Sequence, residues 1–243
     1  MCAMNPRLLV PRASGFNPRS IAGLELWLDA ADTSTIDVDT GVIEWRDKSG
    51  RGTKFRQNSG NNQPATGTQT MNGRNVIAFD GSNDSLTSTT APVTTYAMPV
   101  SMFFVQRIVA ATNFGHTYHA DPGSGFGLRQ NSTTGRVQIT QSVATTFTTW
   151  PTSSVGVDEI VTFICPPGAT DNASYRSGAV QSITDTAQTK PVFPNNHQLG
   201  TRNGALFANV RIAEILIYKS LLTDAQRRSV ESYLGKKWGI AVS

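Results

Sequence analysis

Two cysteines in 243 residues, Cys2 and Cys165, cannot build a disulfide framework, and their separation rules out a Cys-pair zinc motif. Histidine is nearly as scarce, with three copies. No apolar run approaches the roughly 18 residues that a membrane helix needs, so no membrane partner is expected. No secretory leader is visible at the start: Leu8, Leu9 and Val10 are the whole apolar run before Pro11. Synthesis in the cytoplasm without a signal peptide is the expectation. Charged residues make up only 16% of the chain, and the net charge of +4 forms no dense basic patch, which argues against nucleic acid as a partner. No P-loop and no nucleophile elbow appears.

Thr, Ser, Asn and Gly are abundant instead, the residues of strands and of the turns between them. Short strand candidates recur along the chain: 24–30, 42–45, 75–80, 84–88, 159–165 and 208–218, with "GFGLRQ", "GRVQIT", "TTFTTW" and "HQLGTR" between them. The segment 100–110, "VSMFFVQRIVA", is apolar at successive positions, as in a strand covered on both faces. A hairpin is expected at 174–183, turning at Ser177 and Gly178. Cys165 closes the apolar run "EIVTFIC" and reads as a small core residue. Many short punctuated strands predict an all-β fold, a two-sheet antiparallel jelly-roll sandwich.

One helix is expected, at about 223–235. Thr223 is a good N-cap and Gln226 completes a capping box. Asp224 suits the positive end of the helix dipole, and Lys236 and Lys237 suit the negative end. Val230, Tyr233, Leu234 and Trp238 recur at helical spacing and form a face for docking on the domain.

Residues 1–20 read as a separate extended arm before a domain spanning 21–243. Between Asn5 and Arg19 stand Pro6, Pro11 and Pro18 with Arg7, Arg12 and Arg19, and no acidic residue. Three prolines exclude a helix and favour an extended path. Leu8, Leu9, Val10 and Phe16 are too few for a core. Such a segment orders on a partner's surface, through its backbone and through arginines on acidic patches. The arm residues expected to bind are therefore Arg7, Leu8, Leu9, Val10, Arg12, Phe16 and Arg19.

Four groups of residues form a recognisable set: Trp27 and Asp29; Trp45, Asp47, Ser49, Gly50 and Gly52; Phe79, Asp80, Gly81 and Asp84; Ile217, Tyr218, Lys237, Trp238 and Gly239. Over roughly residues 21–240 the chain resembles the concanavalin A-like, laminin-G-like jelly-roll domains of phage virion and bacterial surface proteins. The resemblance implies the sandwich fold. It leaves function open, since such sandwiches serve as lectins, carbohydrate-binding modules, adhesins and virion proteins.

Glycosidases of this fold carry paired carboxylates in an E-x-D-x-x-E type spacing, which places acid and nucleophile on one strand face. No such run exists here. Asp37 and Asp39 lie in a turn-rich region, and Asp29, which shares a strand face with Glu25, belongs to the fold pattern. The chain is expected not to be an enzyme and to need no cofactor. His116 and His119 lack a clear third metal ligand and read as solvated loop residues. Asp80, Asn83 and Asp84 have oxygens suited to calcium, but turn capping is the favoured reading, so no metal site is assigned.

Two functions follow. One is a non-enzymatic virion structural protein, a capsid decoration (cement) or spike-type component docked through its arm onto a phage capsid or other virion protein. The alternative is a carbohydrate-binding module or lectin-like adhesin on a tail or surface, with Trp150, Tyr118 and Phe126 as glycan platforms. By analogy with such proteins the chain is expected to be a homo-oligomer, most simply a trimer.

Overall fold

A computed structural model describes residues 15–88, 99–121, 126–131, 134–141, 145–167, 172–182 and 196–243. The first strands are β1 (Leu24–Asp29), β2 (Ile36–Val38), β3 (Val42–Arg46), β4 (Lys54–Arg56), β5 (Ala65–Met71), β6 (Arg74–Asp80), β7 (Leu86–Ser88) and β8 (Val100–Ala110). They are followed by β9 (His116–Asp121), β10 (Phe126–Asn131), β11 (Arg136–Gln141), β12 (Thr145–Ser153) and β13 (Asp158–Cys165). β14 (Ala173–Arg176), β15 (Ala179–Gln181), β16 (Asn196–Leu199), β17 (Asn209–Tyr218) and the helix α1 (Asp224–Trp238) complete the chain.

The strands form the two antiparallel sheets of a sandwich. One runs β15-β14-β13-β8-β17-β6-β5, with β1 also paired to β17. The other runs β12-β11-β10-β9-β16-β7-β4-β3-β2. β17 holds the first sheet together. One of its edges pairs with β8 along its length, while the other is shared between β6, at 209–212, and β1, at 214–218.

Strand alternation explains why β8 and β13 carry apolar residues at successive positions. Met102, Phe104, Val161 and Phe163 point into the core between the sheets. Their neighbours Phe103, Val105, Ile160 and Ile164 point the other way, into a second core under α1 that includes Val230, Leu234 and Trp238. The helix is thus a third layer, and its apolar face docks on the domain as the sequence predicts.

The capping box of α1 is complete: Thr223 Oγ1 accepts from Gln226 N–H, and the Gln226 side chain accepts from Thr223 N–H at 3.0 Å. The helix runs about one turn past the expected end, because Lys237 and Trp238 are held from below and Gly239, at φ 71°, closes it in the left-handed region. Ser177 and Gly178, at φ 48° and 88°, form the predicted hairpin turn between β14 and β15.

Four of the described strands, β2, β4, β5 and β9, are not among those the sequence predicts. β2 and β4 have three residues each, β5 is mostly exposed, and β9 reads "HTYHAD". A short or polar strand leaves little hydrophobic alternation to read.

Candidate functional site

The motif residues converge beneath α1. On β17 a register irregularity between Ile212 and Glu214 shifts the alternation, so Glu214 faces the helix layer while Ile215 and Ile217 stay in the inter-sheet core. Glu214 is fully buried and takes four donors. Trp27 Nε1 (2.8 Å) and Tyr233 Oη (2.9 Å) reach Oε1; Trp238 Nε1 and Lys237 Nζ (both 2.7 Å) reach Oε2. Lys237 also reaches Asp29 Oδ1 at 2.6 Å, and Lys48 reaches Asp29 Oδ2 at 2.8 Å. Burial pushes the Glu214 carboxyl up, and the Lys237 ammonium opposes that shift. Burial and then the Glu214 charge push the Tyr233 phenol far up, so it stays a donor.

Asp47 serves the turn 46–52. Its Oδ1 accepts from Trp27 N–H and Ser49 N–H, both at 2.8 Å, and its Oδ2 accepts from Ser49 Oγ at 2.6 Å. Asp80 does the same in its own turn, where Oδ1 accepts from Ser82 N–H at 2.8 Å and Asn83 N–H at 3.2 Å. Asp84 Oδ2 accepts from Asp80 N–H at 2.9 Å, and burial pushes its carboxyl up to about 6. These carboxylates are occupied with backbone.

Residues 16–20 lie over the same layer. Asn17 Oδ1 accepts from Arg19 N–H at 3.0 Å and caps the short 3-10 turn Pro18–Ser20. Pro18 is buried, and its carbonyl accepts from Tyr218 Oη at 3.1 Å. The Phe16 ring packs on Tyr233 with centroids 5.5 Å apart. The Arg19 guanidinium donates to the Lys48 carbonyl, with Nε at 2.9 Å. Phe16 and Arg19, expected to touch a partner, are therefore both engaged by the chain itself. Arg7, Leu8, Leu9, Val10 and Arg12 lie outside the described residues.

An open groove of about 670 Å³ borders this segment, with Phe16 on one side and Arg228, Ser229, Ser232, Tyr233 and Lys236 of α1 on the other. It joins the Phe16–Tyr233 aromatic pair to exposed cations.

Several sequence expectations need correction. Tyr118, Phe126 and Trp150 are all fully buried in the inter-sheet core and offer no face to a sugar. Tyr118 and Phe126 pack around Phe104, at centroid distances of 5.4 and 6.4 Å. Strand alternation turns both inward, a parity that residue type alone does not reveal. His116 and His119 are not solvated loop residues. They lie on β9, buried, with ring centroids 5.2 Å apart. Burial, with the positive fields of His119, Arg129 and Arg202, holds His116 well below the usual imidazole range.

Sequence reasoning missed the buried carboxylates. Glu214 and Glu159 each sit inside an apolar strand run, where they look incidental. Glu159 accepts from Gln106 Nε2 at 3.0 Å and forms an ion pair with Arg176, Nε 2.9 Å from Oε2, between the sheets, and burial pushes it up to about 7. Glu231 on α1 accepts from Thr162 Oγ1 at 2.8 Å and pairs with Arg227 at 2.5 Å. Glu44 pairs with Arg46, Lys54 and Arg56 at 3.3–3.4 Å.

No family model matches the sequence, and no curated protein sequence is significantly similar to it. Solved structures do share the fold. A Trypanosoma rangeli sialidase, in complex with a difluorinated sugar acid, superposes with a TM-score of 0.63 at 12% identity, over 89% of this chain and 33% of the sialidase chain. The binding domain of botulinum neurotoxin serotype D/C gives 0.60 at 13% identity, over 93% of this chain and 56% of the other. The botulinum neurotoxin DC binding domain in complex with rat synaptotagmin II gives 0.63 at 12% identity, with the same coverage. The chain therefore spans a third of the sialidase chain and just over half of the toxin chains it matches. At such identities the likeness shows the fold alone, a two-sheet antiparallel β-sandwich.

Proposed function

We propose that the chain is a non-enzymatic binding protein of a phage particle, a capsid decoration or spike-type component docked through its N-terminal arm. The observation that carries this reading is the fixed root of the arm. Pro18, Phe16 and Arg19 tie it to Tyr218, Tyr233 and the Lys48 carbonyl, so Gly15 stands at a defined edge of the domain beside α1. A Pro/Arg-rich segment before such a root suits attachment to an acidic surface. The carboxylates support a non-enzymatic role, since Asp29, Asp47, Asp80, Glu44 and Glu214 are all committed to cations, indoles or backbone N–H groups. A sandwich of this fold in a botulinum neurotoxin is a binding domain seen with synaptotagmin II, so the scaffold can present a protein-binding surface. A carbohydrate-binding module would need a surface other than Tyr118, Phe126 and Trp150.

The test is co-purification with virions of the phage whose genome carries the coding sequence. The wild-type chain should stay with the particles through a density gradient. A full-length Arg7→Glu/Arg12→Glu variant with an unchanged circular dichroism spectrum should be lost from them. Equal retention of that variant, or no retention of the wild type, would reject the reading.

A further inference from the structure

Along α1, Arg228, Ser232 and Lys236 stand at i, i+4 and i+8, so they form one line on the helix surface. At 1.5 Å rise per residue the two positions are about 12 Å apart along the helix axis. Both are exposed. The nearest carboxylate to Arg228 is Asp224 at 3.9 Å, with both side chains more than 70% exposed, a pair too solvated to satisfy it. Among the described residues Lys236 has no ion-pair partner. Beside this line, on the neighbouring row of α1, Tyr233 and the Phe16 ring packed on it give the groove an apolar wall, which Lys237 also borders. The groove thus has an apolar wall alongside a row that is positive at both ends.

We infer that this groove binds an extended acidic segment of a partner protein with the pattern acid-x-apolar-x-acid. The inference rests on the arm-docking reading and names the chemistry of the surface that the groove would meet. An extended chain advances about 3.3 Å per residue, so side chains at i and i+4 share a face and lie about 13 Å apart. That matches the axial spacing of the Arg228 and Lys236 positions. The residue at i+2 points the same way, between them, where it can lean on the apolar wall of Phe16 and Tyr233. The Ser232 hydroxyl lies midway along the line, within reach of the bound backbone.

Two occupants from the chain itself fit poorly. Residues 1–14 contain Arg7 and Arg12 and no acid, so their charge has the wrong sign. A second copy would have to present an acid-x-apolar-x-acid segment. The chain has one, 25–29, which is buried in β1.

The probe is the blocked peptide acetyl-Glu-Thr-Val-Thr-Glu-amide, titrated into the ¹⁵N-labelled full chain. Amide shifts of 228–236 should move and saturate. Arg228→Glu/Lys236→Glu should weaken binding at least tenfold, as expected for two reversed surface pairs. Replacing the peptide valine with serine should weaken it roughly fivefold through the lost apolar contact. The milder Arg228→Gln/Lys236→Gln variant should fall between, and it guards against misfolding of the charge-reversed one. Equal binding of a Lys-Thr-Val-Thr-Lys control, no saturable shift, or full affinity in the double variant would each overturn the inference. Binding seen only after deletion of residues 1–14 would assign the groove to the arm and overturn it as well. So would self-association of the wild type that the double variant abolishes. The particle assay fails separately. Peptide binding without virion retention sinks the particle reading and leaves the groove. Retention that survives Arg228→Glu/Lys236→Glu but not Arg7→Glu/Arg12→Glu, with no peptide binding, sinks the groove alone.

Discussion

Lys237 Nζ lies 2.6 Å from Asp29 Oδ1, joining the end of the last helix to the first strand across 208 positions of sequence. The same ammonium touches Glu214 at 2.7 Å on the central strand β17. Three elements that meet at one cation cannot shift independently. Phe16 is fixed here too, because it packs on Tyr233, itself a donor to Glu214.

Lys237→Met should therefore destabilise the fold strongly. It leaves Glu214 buried with one fewer donor and Asp29 with Lys48 alone as its cation. Removing one member of a buried ion pair costs about 3–5 kcal/mol. Urea unfolding should show that loss for Lys237→Met. The exposed neighbour Lys236→Met should stay within about 0.5 kcal/mol of wild type.

Gly200 is a second point where the fold leaves no slack. It sits at φ 77°, and a Cβ there would overlap the Phe79 ring, which is buried in the inter-sheet core. Gly200→Ala combines left-handed strain of about 1 kcal/mol with overpacking of about 1–3 kcal/mol. A loss of roughly 2–4 kcal/mol by chemical denaturation is expected, with Phe79→Leu in the same chain restoring part of it. No restoration would mean that strain rather than the ring sets the cost.

The Thr223 cap gives a smaller effect with a clear sign. Thr223→Ala removes the acceptor for the Gln226 N–H, which is exposed at the helix start, and should cost about 1 kcal/mol. Thr223→Asp keeps an acceptor and adds negative charge at the helix N-terminus, so its stability should match wild type or exceed it. A scan of thermal midpoints distinguishes the two.

These sites differ in how far the sequence discloses them. Trp27, Asp29, Tyr233, Lys237 and Trp238 were legible as parts of a pattern and a helical stripe, and they do meet. Glu214, which gathers them, was not, because it lies within "IAEILIY" and faces the helix layer only through the local shift in β17 register. The strands were legible wherever apolar residues alternate or run on. β9 was not, since Tyr118 and Ala120 are the residues it sends into the core. The aromatic misreading has the same origin. Trp150 beside Pro151 looks like an exposed strand end, yet its indole is fully buried and the Arg176 guanidinium lies 5.7 Å from its ring. Residue type marks what a side chain can do, and strand parity decides whether solvent ever meets it.

Glu159 makes the stability of the sandwich depend on pH near neutrality. Its carboxyl is 1% exposed between the sheets, and burial raises it from the ordinary 4.5 to about 7 despite Gln106 and Arg176. A raised acid in the folded state favours the protonated form. Its contribution is therefore fully present below the unfolded value near 4.5 and is lost as pH rises through about 7. The slope between those values is about 1.4 kcal/mol per pH unit, so the total is on the order of 3 kcal/mol. Glu159→Gln removes the titration while leaving an amide oxygen for the Gln106 N–H. The variant should match wild type near pH 5 and become the more stable of the two by pH 8, when both are followed by urea unfolding across that range. Asp84, pushed up to about 6, adds a term of the same sign, so some slope should persist in Glu159→Gln below pH 6. A Glu159→Gln curve parallel to wild type from pH 5 to 8 would mean that Arg176 holds the carboxylate ionised throughout. The Glu159–Arg176 contact would then be a permanent buried ion pair, and Arg176→Met rather than Glu159→Gln would be the variant that unfolds the sandwich.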